Sequence, residues 1–278
     1  MMITKTILKK VYKKRRNWSH KFDFGSLLII GGSRVYSGSP GFNALAALRS
    51  GCDLVTIAAP QRSANIVASF SPDLITHPLK GDYLTNHHVK YLINLSKKMD
   101  AVVIGGGLGR NKQTLKAVDN YLKKTKIPAV VDADAIHAVA HKELRNNIVL
   151  TPHSREFYVL TGKKPGENLK ERIRVVKKTA NDINAVILLK GHIDIISDGL
   201  HTALNNTGNT YMTKGGTGDT LAGICGSLLA QGASQFDAAC ASAYINGAAG
   251  DLAAKTRKQS LLATDVLDKI DKITNIIK

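Results

Sequence analysis

Short apolar runs recur along this chain, each followed by a stretch with helical patterning, and that rhythm leaves few folds open. The runs lie at 27–30, 54–58, 74–77, 101–104, 129–131, 148–150 and 185–189. Helical patterns fall at 41–50, 86–97, 112–123, 156–162 and 168–181. Most of the runs are apolar on both faces rather than at alternate positions, as expected for a strand when helices cover both faces of its sheet. An α/β fold follows, with a mostly parallel central sheet flanked by helices on both faces.

The last third changes character. Residues 193–197 and 200–204, separated by Asp198-Gly199, read as a hairpin closed by a two-residue primed turn. Alanine-rich helices are expected at 220–231 and 235–254, and an amphipathic helix at 263–276. No repeat or low-complexity linker interrupts the chain, so we expect one catalytic domain over 25–278 behind a basic arm, 1–24. Helix 235–254 is small-faced enough to suit packing between subunits, and a homo-oligomer is expected.

The formal net charge of +18 is partly local, since Lys5, Lys9, Lys10, Lys13, Lys14, Arg15, Arg16 and Lys21 all precede the first acidic residue, Asp23. No nucleic-acid motif follows this arm, so it reads as solvated surface; a basic protein also attracts phosphorylated small molecules. Cys52, Cys225 and Cys240 lie far apart, without metal or disulfide spacing, and fit a reducing compartment. The apolar runs are too short to cross a bilayer, and no secretory pattern follows the N-terminal charges. We expect a cytoplasmic protein without membrane or nucleic-acid partners.

In open α/β sheets, ligands bind beyond the carboxyl ends of the strands. Five such ends carry glycine-rich or charged loops: Gly31-Gly-Ser33, Gly105-Gly-Gly-Leu-Gly109, Asp132-Ala-Asp134, Thr151-Pro-His153 and Lys190-Gly191. The sharpest motif is Gly215-Gly-Thr-Gly-Asp219, just before an apolar helix. Its glycines let successive N–H groups turn toward one point, and a helix N-terminus adds partial positive charge, which suits an oxyanion on a transferring phosphoryl group. Asp219 stands where it could take a proton from a substrate hydroxyl, or else cap the helix; dipole and hydrogen bonds should keep it ionised. The motif is no P-loop, because no Lys-Ser/Thr follows the glycines. Lys190 could neutralise phosphate or pack at its strand end. Asp132 and Asp134 could orient water in the site, or Asp134 could cap the helix from Ala135.

Together with Tyr36-Ser-Gly38, Ala46-Ala-Leu-Arg-Ser-Gly51 and Glu156, these motifs stand in the order seen in the ribokinase-like superfamily. Over residues 25–276 the chain resembles the ADP-dependent NAD(P)H-hydrate dehydratases. The resemblance implies that a nucleotide, ADP or ATP, phosphorylates the hydroxyl of hydrated NADH or NADPH, and that loss of phosphate restores the dihydropyridine. It further implies that Asp219 engages that hydroxyl, that Gly218 holds the nucleotide phosphates, and that Lys190, Gly191, His192, Ile193 and Asp194 line the AMP portion. Ser39, Gly107 and His153 would contact the hydrated dinucleotide, and Glu156 would sit at a Mg²⁺ site. The chain departs from the family at Ser39 (alanine there), Gly106 (proline), Thr217 (serine) and Arg155 (glycine), and is expected to be the free-standing form without the companion epimerase domain. The rival readings are a vitamin-precursor kinase of the same superfamily, acting on a thiazole or pyrimidine alcohol, and a nucleotide-sensing or nucleic-acid-binding protein that uses the arm.

Overall fold

A computed structural model describes residues 1–275. In chain order the strands are β1 (Ser26–Ile30), β2 (Leu54–Pro60), β3 (Ile75–Leu79), β4 (Ala101–Ile104), β5 (Ala129–Val131), β6 (Ile148–Leu150), β7 (Val186–Leu189), β8 (Asp194–Ser197) and β9 (Thr202–Asn205). They form one sheet in the order β3-β2-β1-β4-β5-β6-β7-β8-β9, parallel as far as β7 and antiparallel from β7 through β9. The α-helices are α1 (Leu8–Val11), α2 (Gly38–Arg49), α3 (Gln61–Ala68), α4 (Asn86–Ser96), α5 (Lys112–Lys124), α6 (Ser154–Thr161), α7 (Leu169–Ile183), α8 (Thr217–Ala230), α9 (Gln235–Arg257), α10 (Ala263–Leu267) and α11 (Ile270–Thr274).

Strand β1 shows why these runs had to be apolar on both sides. Leu27 and Ile29 pack into one core layer, with residues of α2, α8 and α9. Leu28 and Ile30 enter the opposite layer, with residues of α4, α5 and α7. The parallel sheet is thus sandwiched, as the sequence implied. Helix α8 is buried at every position from Thr220 to Ala230, so it is apolar all round rather than striped. It crosses α2 at backbone contact: a Cβ on Gly223 would lie 2.2 Å from the carbonyl oxygen of Asn43.

Several expectations need correction. Four residues, 198–201, join β8 to β9 instead of a two-residue turn, because the Asp198 carboxylate accepts from the N–H groups of Leu200 and His201 and rounds the loop itself. The 263–276 helix is split into α10 and α11 around Asp268 and Lys269, and its last expected residue lies outside the described range. Helix α3 was not foreseen, since its eight residues carry too short an apolar pattern. Much of the small-residue surface of α9 is used inside the chain, where Ala238, Ala239, Ala241, Ala249 and Ala253 are buried, while Tyr244, Ala248, Leu252 and Ala254 stay half-buried.

The basic N-terminal segment is docked. Met1 and Ile3 exchange backbone hydrogen bonds with Leu204, which covers the β9 edge, and Ile3, Ile7, Leu8 and Val11 enter the core. All three cysteines are buried free thiols. Among the described residues no helix is long and apolar enough to cross a membrane.

Candidate active site

Strand order turns back between the parallel neighbours β1 and β4, running outward to β3 on one side and to β9 on the other, and ligand clefts open at such a switch point. The loops after β1 and β4 touch there through their backbones, Gly32 N donating to Gly106 O at 2.8 Å. Side chains have no room. A Cβ on Gly105 would stand 1.8 Å from the Asp132 carbonyl oxygen, and φ at Gly105 is +142°, so glycine is required. A Cβ on Gly106 would lie 2.6 Å from Asp219 Oδ1, 3.0 Å from Ser39 Cβ and 3.3 Å from Asn43 Oδ1. Asp134 caps no helix. Its carboxylate accepts from Gly109 N at 2.9 Å and Arg110 Nε at 2.7 Å, which pins the loop after β4.

The loops after β5, β6 and β7 are held by charge. Asp132, buried, accepts from Thr151 Oγ1 at 2.7 Å and from Lys190 Nζ at 3.0 Å. Glu156 Oε2 accepts from His153 N at 2.9 Å and lies 3.8 Å from Lys190 Nζ. Burial alone would lower the Lys190 pKa, but the carboxylates of Asp132 and Glu156 outweigh it and raise it, so this lysine stays charged. His153 caps α6: Nδ1 accepts from Arg155 N and Glu156 N, which puts its ring proton on Nε2, 3.4 Å from Glu156 Oε1. The Arg155 side chain is exposed.

Helix α8 begins at Thr217, three residues before its expected start, with Gly216 as N-cap at φ +96°. Its first closing bond runs from Thr220 N to Gly216 O, so the N–H groups of Thr217, Gly218 and Asp219 have no acceptor within the helix. Asp219 is the third helical residue, and its side chain does not cap. Nor does the helix keep it ionised: burial, and next the Asp132 carboxylate, push its pKa up to about 7. A hydrogen bond from Ser39 and the charge of Lys190 oppose this only in part. Desolvation beats the dipole here.

Two hollows are lined by the Asp219 neighbours Lys190 and Ser39. The larger, about 660 Å³, is lined by Lys190, Gly191, His192, Asp194 and Gly218, with His153 at its edge. The smaller, about 550 Å³, takes Ser39, Gly107, Tyr36, Gly109, Arg110 and Asp134. His153 therefore sits with the residues expected around AMP, apart from Ser39 and Gly107. Ile193 lines neither hollow; Met212, Leu221 and Ala243 supply apolar wall instead. Asp194 serves the loop itself, accepting from Gly191 N and Asn205 Nδ2, and burial raises its pKa. Sequence reasoning missed segment 207–214, which Asp251 fixes beside the larger hollow by accepting from Gly208 N and Asn209 Nδ2. Its one signal was the turn-rich run Asn205-Asn-Thr-Gly-Asn209.

The metal expectation at Glu156 does not fit. Its oxygens are engaged by His153 and faced by the Lys190 ammonium, and the described residues hold no cluster of three side chains able to cage an ion. A Mg²⁺ carried by nucleotide phosphates and waters would need no such cage.

Comparison with known proteins gives the family. The family model described as NAD(P)H-hydrate dehydratase matches residues 27–272. A bifunctional NAD(P)H-hydrate repair enzyme, Nnr, of Pyrobaculum aerophilum is 41% identical over 261 residues, covering 93% of this chain and 52% of that protein. The chain thus spans about half the length of the first curated relatives it matches. The ADP-dependent (S)-NAD(P)H-hydrate dehydratase of Cenarchaeum symbiosum is 36% identical over 275 residues, covering 98% of this chain and 96% of that one. The ADP/ATP-dependent NAD(P)H-hydrate dehydratase of Bacillus subtilis, co-crystallised with ATP and Mg²⁺, superposes with a TM-score of 0.86 at 27% identity, covering 99% of this chain and 98% of that one. The fold expected from the motifs is therefore the fold found, and this chain belongs to the NAD(P)H-hydrate dehydratase family.

Proposed function

We propose that this protein dehydrates the S form of hydrated NADH and NADPH at the expense of ADP or ATP, giving the reduced cofactor and phosphate, with AMP when ADP is the donor. The observation that carries the reading is the position of Asp219. Its carboxyl lies beside Ser39, which lines the smaller hollow, and feels the charge of Lys190, which lines the larger one next to Gly218. A hydroxyl in one hollow and a phosphoryl group in the other would meet at this carboxyl.

The larger hollow would take the nucleotide. Its AMP portion would lie along Lys190, Gly191, His192 and Asp194, with Ile193 behind, and the terminal phosphates would face Gly218 and the open N–H groups of α8. Lys190 stays charged and would neutralise phosphate. Ser39 and Gly107 would border the hydrated ring, and His153 would reach the substrate only from the nucleotide side. With a pKa near 7, Asp219 is poised to take the hydroxyl proton at neutral pH as the oxygen attacks phosphorus. Phosphate then leaves the ring as a neighbouring C–H proton is lost, which restores the double bond. Mg²⁺ would arrive with the nucleotide and partly neutralise its phosphates.

The test is absorbance at 340 nm with purified protein, Mg²⁺ and chemically prepared NADH hydrate, adding ADP or ATP in turn. Nucleotide-dependent recovery of the NADH band is expected. A folded, nucleotide-binding protein that restores none would transfer the assignment to the vitamin-precursor kinases. We place the protein in the cytoplasm and expect copies to associate, which light scattering would test.

A further inference from the structure

Asn43 is 1% exposed, yet one of its two polar atoms has no partner. Its Nδ2 donates to the main-chain oxygen of Asp219 at 2.7 Å, and only the amide nitrogen can make that bond. The amide cannot turn over, so Oδ1 points away from that carbonyl, toward Gly106. Backbone contact between Asn43 and Gly223 fixes α2 against α8 at the same level, so the amide cannot drift either. An enclosed amide oxygen without a donor costs roughly 1–3 kcal/mol. Solvent does not reach it, and Asn43 lines neither hollow.

One donor can appear beside it. Asp219 Oδ1 and Asn43 Oδ1 both face the single point where a Gly106 side chain would begin, at 2.6 and 3.3 Å. Both oxygens thus border one small space, and a proton on the carboxyl would supply the amide oxygen with a donor there.

We propose that Asn43 is a positioning residue for the reaction proposed above: its Oδ1 accepts the proton that Asp219 takes from the substrate hydroxyl. The substrate O–H bond breaks and an O–H bond forms on the Asp219 carboxyl. The freed electron pair attacks phosphorus, and the bond from phosphorus to the nucleotide's bridging oxygen breaks, its pair leaving on the nucleotide. Asp219, now neutral, satisfies the orphan acceptor until it returns its proton to solvent. The other groups facing this carboxyl are Asp132 and Asp134 from the loop after β5, Lys190 from the end of β7, and the Ser39 hydroxyl of α2. Of the groups around it, Asn43 alone has an acceptor that is fully enclosed and without a donor among the described residues.

The experiment titrates Asp219 in the free protein by NMR, with ¹³C in its side-chain carboxyl, for the parent, Asn43→Leu and Asn43→Asp. Leucine keeps volume and dryness while removing the acceptor, so the Asp219 midpoint should fall by about one pH unit, the equivalent of one hydrogen bond. Aspartate places a stronger acceptor there, so the midpoint should rise, and it keeps the test alive should leucine not fold. The acid limb of kcat/KM should follow each midpoint. Midpoints that stay put in both variants, even with lowered thermal stability, would make Asn43 a structural residue and overturn the proposal. A parent that restores no NADH would end the proposed reaction, while the midpoints would still decide this coupling.

Discussion

The loops after β1 and β4 and those after β5, β6 and β7 converge on Asp219 but are held by different forces. On the first side the chain closes by backbone approach: Gly31, Gly105, Gly106 and Gly107 each leave a space that a Cβ would overfill. On the second side Asp132, Glu156 and Lys190 form a buried chain of opposite charges. A steric wall answers to a single added methyl and ignores pH; a charge cluster answers to pH and salt. Asp219 belongs to both. Gly106 sets where its carboxyl lies, and Asp132 and Lys190 set when it holds a proton.

The largest effect should come from removing that junction. Asp219→Ala is expected to keep nucleotide binding and lower turnover about a hundredfold or more, as loss of an acid–base group does. Near-parent turnover would remove Asp219 from the reaction. Asp219→Asn makes a second, opposite prediction about stability. Unfolded, the carboxyl ionises near its ordinary 3.8; folded, near 7, so the native chain binds the extra proton between those values. Native stability therefore falls as pH rises through that window, and the full cost is present above pH 7. The asparagine variant escapes it and should melt higher than the parent at pH 8 but not at pH 4.

Next in size is a test of the steric side. Gly106→Ala drives a methyl to 2.6 Å from Asp219 Oδ1, and the carboxyl must swing aside. Because the family carries proline at this position, the site can seat a Cβ with a small shift, and turnover should fall no more than about tenfold, with nucleotide affinity retained. Equal loss of both would mean that the two sides are not separable. Lys190→Met probes the charged side. Nucleotide affinity should drop roughly tenfold or more for a lost charged contact. The acid limb of the pH–rate profile should move to higher pH, because the cation that lowers the Asp219 pKa is gone. A limb that stays in place would detach Lys190 from Asp219.

These two sides were not equally legible in the sequence. Apolar runs without alternation are a direct consequence of a doubly covered sheet, so the seven parallel strands could be read with small boundary errors. Glycine motifs were visible as letters but not as roles. Gly216 has φ +96° and no space for a Cβ against Ala263 and Phe42, whereas Gly215 faces open space. The charged side was read residue by residue, but its pairings join positions far apart in the chain, such as Asp132 and Lys190, and no local pattern announces them. The protonation of Asp219 was misjudged for that reason. The helix dipole is local and can be read, while burial under α2 and the approach of Asp132 are tertiary. Asn43 was silent altogether, lying inside what reads as an ordinary apolar helix.

The smallest expected effect asks how far the charged side extends. Arg155 stands where the family has glycine, one residue before Glu156. Its backbone N–H helps fix the His153 ring, a contact any residue but proline supplies. Its side chain is exposed and makes no hydrogen bond or ion pair with the described residues. Arg155→Gly should therefore change turnover and nucleotide affinity less than about twofold, as surface substitutions do. The melting temperature should drop slightly, because glycine in a helical turn costs up to about 1 kcal/mol. A tenfold loss of affinity that disappears in high salt would mean that the guanidinium swings onto the bound phosphates. The charged side would then include a residue that the unliganded geometry leaves in solvent.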